Sequence, residues 1–111
     1  MKKVSEIIAD LREGKLENPG ELSDYLVILS ASLQTAGGFE LDADIDFGQK
    51  WGELRLDCKT DRECDMKAKQ TQEYRIWKQA VINNRTIQET IRALKKKLDN
   101  LQFEFSQGQH Y

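Results

Sequence analysis

The sequence predicts an all-α protein, a long helical hairpin with a short N-terminal helix and a C-terminal helix of about 40 residues. Three observations predict it. Apolar residues recur at steps of three and four along much of the chain. Two helix-start signatures, Asn18-Pro19-Gly20-Glu21 and Thr60-Asp61-Arg62-Glu63, divide it. From Asp61 to Phe105 no Pro or Gly interrupts. The 111 residues suit one helical domain.

Val4, Ile7, Ile8 and Leu11 form a short amphipathic stripe and Gly14 supplies a left-handed stop, which predicts a helix over 2–13. Such a helix is marginal alone and has to dock. The second helix starts at Pro19, where the missing N–H costs nothing, with Asn18 as cap and Glu21 able to reach back. Leu22, Tyr25, Leu26, Leu29 and Leu33 share one face, widened by Val27 and Ile28; Gly37-Gly38 then break or bend it.

Residues 39–58 complete an acidic arm, 19–58, and read two ways. Phe39, Leu41, Ala43, Ile45 and Phe47 alternate with acids, a β-hairpin pattern. Asp and Ala are poor strand residues, however, and Phe47, Trp51, Leu54 and Cys58 fall on a helical stripe, so helix is the expectation and a β-hairpin at 39–58 the alternative.

Thr60 with Glu63 forms a capping box that opens a continuous basic helix over 61–105, about 67 Å at 1.5 Å per residue. Within it Trp77, Ala80, Asn84, Ile87, Ile91, Leu94, Leu98, Leu101 and Phe105 make a heptad seam. A seam of that length needs a partner helix, and oligomerisation through it is expected. Asn84 would fix the register if it finds a hydrogen-bonding partner. The polar tail, 106–111, is expected to fray.

Net charge is −2, but 1–58 carry 6 Lys/Arg against 12 Asp/Glu while 59–111 carry 11 against 7. Either the acidic layer packs on the basic helix or the basic helix meets an acidic partner such as nucleic acid. The longest apolar run, Tyr25 to Leu29, is far short of a membrane span. Glu6, Asp10 and Glu13 interrupt any signal region, so a cytoplasmic chain is expected. Cys58 and Cys64 read as free thiols: their spacing is not C-x-x-C, and no His is near enough to complete a zinc site.

Catalytic machinery is not expected. The only His is His110, next to the end, and no phosphate loop, nucleophile elbow or zinc-protease motif occurs. Asp42, Asp44, Asp46 and Glu53 match four positions of an EF-hand loop, but Phe47 stands where that loop needs Gly; a solvated acidic face is the better reading, with no metal and no cofactor. Lys95, Lys96 and Lys97, with Arg92, Arg85 and Lys78 before them, suit either the negative end of a helix dipole or phosphate binding. Tyr74, Arg75, Trp77 and Lys78 interleave aromatics with cations as single-strand binders do, although aromatics at that spacing more often pack in a core.

The order of parts is ELSDYLVILSASLQ, then QKWGELR, then DMKAKQTQEYRIWKQAVINNRTIQETIRALKKKLDNL. Over about residues 21–101 it resembles short bacteriophage helical-hairpin proteins and is similar in layout to the phage recombination-mediator family. The resemblance implies an oligomer that binds single-stranded DNA, with Lys67, Lys69, Arg75, Lys78, Arg92, Lys95, Lys96 and Lys97 as the contacting cations. An acidic protein-interaction module, such as an inhibitor of a host defence enzyme whose stretch from Glu40 to Asp57 mimics nucleic acid, is the second expectation. A structural coiled-coil adaptor is the third.

Overall fold

A computed structural model describes residues 3–15 and 18–108, with side chains described through Phe103. The fold is all-α: α1 (Val4–Arg12), α2 (Pro19–Arg55), α3 (Asp61–Ala68) and α4 (Gln72–Gly108), with no strand among the described residues. The chain divides into two compact units, one of residues up to Gln34 with those from Thr86 onward, the other Thr35–Arg85.

In the first unit α1 ends on Gly14, whose φ of 70° gives the expected left-handed stop. The predicted start of α1 at residue 2 lies outside the described residues. The Asn18 side-chain Oδ1 accepts from the Gly20 and Glu21 amides, at 2.9 and 3.4 Å, and so caps α2 as its sequence predicts. The Tyr25 hydroxyl donates to Glu21 one turn back. Ile7, Leu22, Leu29 and Leu94 are fully buried, and Tyr25, Ile87, Thr90 and Ile91 are buried with them, so the three helices share one core. Each such large apolar side chain contributes about 1.5–3 kcal/mol. Thr90 is accommodated by donating to the Thr86 carbonyl at 2.7 Å. Val27, expected to widen the apolar face of α2, is instead 71% exposed.

The second unit is an antiparallel hairpin closed by α3. Phe47 of α2 meets Trp77 of α4, whereas Glu40, earlier in α2, meets Asn84, later in α4; the opposite order defines the antiparallel sense. The helix expected through 39–58 forms, and two other sequence expectations are corrected here. α2 runs to Arg55, so the alternative, a β-hairpin at 39–58, does not form. Gly37-Gly38 do not interrupt α2. The continuous helix over 61–105 is two helices, parted by a turn at 69–71.

Thr71 explains that turn without Gly or Pro. Its hydroxyl donates to the Ala68 carbonyl at 2.6 Å, closing α3, and accepts from the Tyr74 amide at 3.2 Å, capping α4. At the other end of α3, Thr60 Oγ1 accepts from the Glu63 amide at 3.1 Å, the cap read from sequence, while the Glu63 carboxylate accepts at 3.0 Å from the Lys59 amide, one residue before the cap. The corner is fastened by the Trp51 indole N–H donating to Asp65 at 2.7 Å and by Arg55, which bonds Asp61 and the Cys58 carbonyl, each at 2.7 Å. Beyond Phe105, α4 continues to Gly108; the rest of the expected tail lies outside the described residues.

Candidate nucleic-acid interface

The heptad seam faces inward. Ala80 and Asn84 are buried in the second unit and Ile87, Ile91 and Leu94 in the first, while Trp77, Leu98 and Leu101 are half-buried. The Phe105 side chain lies outside the described residues. Over Ala80 to Leu94 the partner that the seam requires is supplied by the chain itself. Asn84 finds its hydrogen bond there, donating from Nδ2 to Glu40 Oε2 at 3.1 Å.

Opposite the seam, α4 turns its cations outward. At 100° per residue, steps of three and four from Arg75 reach Lys78, Ile82 and Arg85, all exposed in the second unit. In the first unit Arg92 and Lys96 share one exposed face in the same way. In the sequence Arg85 reads only as one more member of a basic run; its spacing from Lys78 is the signal that makes it part of the second unit's face. Lys95, Lys96 and Lys97, consecutive on a helix, fan over roughly 200° of its circumference, and Lys97 is half-buried. They are therefore not one patch: Lys96 belongs to the outer face and the other two flank the seam.

Lys67 and Lys69 lie on α3 and its cap rather than on the long helix. Lys67 is engaged by Glu63 at 3.3 Å, an ion pair that raises the lysine's pKa and, after the Lys59 amide bond, helps lower that of the carboxyl. Arg55 is likewise held protonated by its hydrogen bond to Asp61.

The aromatic residues are used internally. Trp77 stacks on Phe47 with ring centroids 5.3 Å apart and planes 3° from parallel, and Tyr74 closes the cluster at 5.5 and 6.1 Å. Lys78 Nζ lies 5.0 Å from the Trp77 ring centre and 5.7 Å from that of Tyr74, a cation–π arrangement that holds the lysine at the cluster's edge. Beside it, Arg75 lines an open depression with Gln70, Gln72, Ile76 and Gln79, where amide and guanidinium donors surround an exposed aliphatic side chain.

The acids form the other conspicuous feature. Asp42, Asp46 and Glu53 share one exposed side of α2, but Asp44 projects about 160° away from Asp42, so the four EF-hand-like carboxylates cannot converge on one ion. No group that could hold a metal occurs among the described residues. Cys58 and Cys64 are both free and buried; the Cys64 thiol donates to the Trp51 carbonyl at 3.3 Å, and its burial, with Cys58 beside it, pushes its pKa up. No described helix is long and apolar enough to cross a membrane. In comparisons with known proteins, no family model, no curated protein and no solved structure matches this chain.

Proposed function

We propose that the protein is a non-catalytic accessory factor that binds single-stranded DNA, in the manner of the phage recombination mediators it resembles in layout, and acts as an oligomer in the cytoplasm. The observation that carries this reading is that α4 turns cations outward in each unit, Arg75 and Arg85 in the second and Arg92 and Lys96 in the first. Arg75, Arg85, Arg92 and Lys96 are exposed and none makes an ion pair within the described residues, so their charge is available to phosphates. The open depression beside Arg75, with its glutamines and Ile76, adds donors and an apolar surface for bases. An interface of this composition binds backbone more than sequence.

The acidic module remains the second reading, favoured by Asp42 and Asp46, which share an exposed side of α2 and make no ion pair among the described residues. Charge reversal separates the two. Under the nucleic-acid reading, Arg75→Glu with Arg85→Glu weakens binding of a fluorescent single-stranded oligonucleotide by about tenfold or more, and Asp42→Lys with Asp46→Lys leaves it intact or strengthens it. The opposite pattern in a host-protein binding assay, with no oligonucleotide binding, supports the acidic module.

A further inference from the structure

Gly37, Gly38, Gly48 and Gly52 all lie inside α2, where glycine weakens a helix through the backbone entropy it loses on folding. The chain's own fold explains none of them. None has a positive φ, and a Cβ added at any of the four would meet nothing within 4 Å. Neither backbone conformation nor internal packing requires glycine there.

Their positions on the helix are not scattered. At 100° per residue the four glycines fall with Leu41 and Ile45 inside an arc of about 100° that runs from the flank of α2 beside α4, where Gly37 is half-buried, to its outer side. Leu41 is 59% and Ile45 50% exposed. The result is a smooth apolar strip to which a second helix can approach closely. Asp42 and Asp46 border it on one side and Asp44 on the other, all exposed and without an ion pair among the described residues. Whatever covers the strip has an apolar ridge flanked by cations.

We propose that the strip is a self-association surface that receives the outer face of α4 from a second copy of this chain. That face offers Ile82, 53% exposed, between Arg75 and Arg85, which is the complement the strip calls for: an aliphatic side chain over the glycines and guanidinium groups against the carboxylates. Donor and acceptor faces both belong to the unit Thr35–Arg85, so every copy carries each once. A contact between unlike faces is head-to-tail and adds copies until a ring closes or a filament grows. Arg75 and Arg85 also serve the nucleic-acid reading above, so a DNA strand and a second copy compete for them. Association measured without nucleic acid tests the self-association surface alone.

The test is sedimentation velocity of the full chain over a concentration series. The wild type is expected to associate. Gly48→Ala with Gly52→Ala should weaken association by about tenfold or more while raising the melting temperature of the dissociated chain by several degrees, because alanine favours the helix but blocks close approach. Asp42→Lys with Asp46→Lys, and separately Arg75→Glu with Arg85→Glu, should each weaken it about tenfold. An equimolar mixture of these two charge variants should associate again, through the native contact between the two unaltered faces and a re-matched contact between the two reversed ones. A wild type that stays monomeric at every concentration overturns the proposal, as do alanine variants that gain stability with association unchanged. A mixture that remains dissociated also overturns it.

Discussion

The Asn84 amide donates to the Glu40 carboxylate at 3.1 Å, the two residues lying 44 apart in sequence on opposite arms of the second unit's hairpin. Asn84 is only 8% exposed, so its polar group has lost most of its water and the bond compensates for that loss. A slip of α4 by one residue would carry the amide about 100° away from Glu40, which makes the pair a register lock. Asn84→Ala is expected to cost about 1–2 kcal/mol in urea unfolding, and a double-mutant cycle with Glu40→Ala to show coupling of about 0.5–1.5 kcal/mol. Additivity of the two substitutions would mean that the bond does not set the register.

Thr71 makes the turn between α3 and α4 by serving both helices at once. Thr71→Ala should cost about 1 kcal/mol, and Thr71→Ser, which keeps the hydroxyl, should restore most of it. Urea midpoints of the three proteins check this.

Leu94 is fully buried, whereas its neighbour Lys95 is exposed. Leu94→Ala is expected to destabilise by about 2–5 kcal/mol at any protein concentration, because the seam it belongs to is filled within one chain. Lys95→Ala should shift stability by no more than about 0.5 kcal/mol. Thermal unfolding at two concentrations tests both statements, and a Leu94→Ala loss that appears only on dilution would place the seam between copies.

Burial raises the Cys64 pKa above the ordinary thiol value of 9.0, so the folded chain holds its proton more tightly than the unfolded one. The stability linked to this group is therefore fully present below pH 9.0, and is lost as pH rises through the ordinary value toward the higher folded one. The thiol should also react slowly with iodoacetamide in the folded protein and at the rate of a free thiol in urea, as followed by mass spectrometry. Cys64→Ala should flatten the alkaline part of the stability profile.

Local signatures carried most of the fold. Asn18-Pro19 and Thr60 with Glu63 are self-contained, since a cap bonds amides two or three residues away; both caps formed, with the Glu63 return bond shifted to Lys59. What misled was punctuation. Gly37-Gly38 resemble a break, but a glycine costs a helix only about 1 kcal/mol, and long-range packing such as the burial of Ala43 and the Asn84–Glu40 bond holds α2 together. The turn at Thr71 was hidden for the converse reason, because a threonine can end one helix and start the next without any residue that forbids helix. The alternation from Phe39 to Phe47 had no structural meaning: Phe39, Leu41 and Ile45 are exposed, and Ala43 is the one buried member. For the site, the run Lys95-Lys96-Lys97 is dense in sequence but fans around the helix. The outward faces are encoded instead in spacing, that of Arg75, Lys78 and Arg85 in the second unit and that of Arg92 and Lys96 in the first.

The central claim, that the outer face of α4 holds the phosphates of single-stranded DNA, is tested most directly by fluorescence anisotropy of an oligonucleotide titrated at several salt concentrations. Binding is expected at 50 mM salt, with log affinity falling against log salt at a slope of about −2 to −4, the loss of roughly 0.7 per phosphate contact over some three to five cations. Arg75→Glu with Arg85→Glu should make that slope shallower. No binding at 50 mM salt, or an affinity that salt leaves unchanged, would contradict the account.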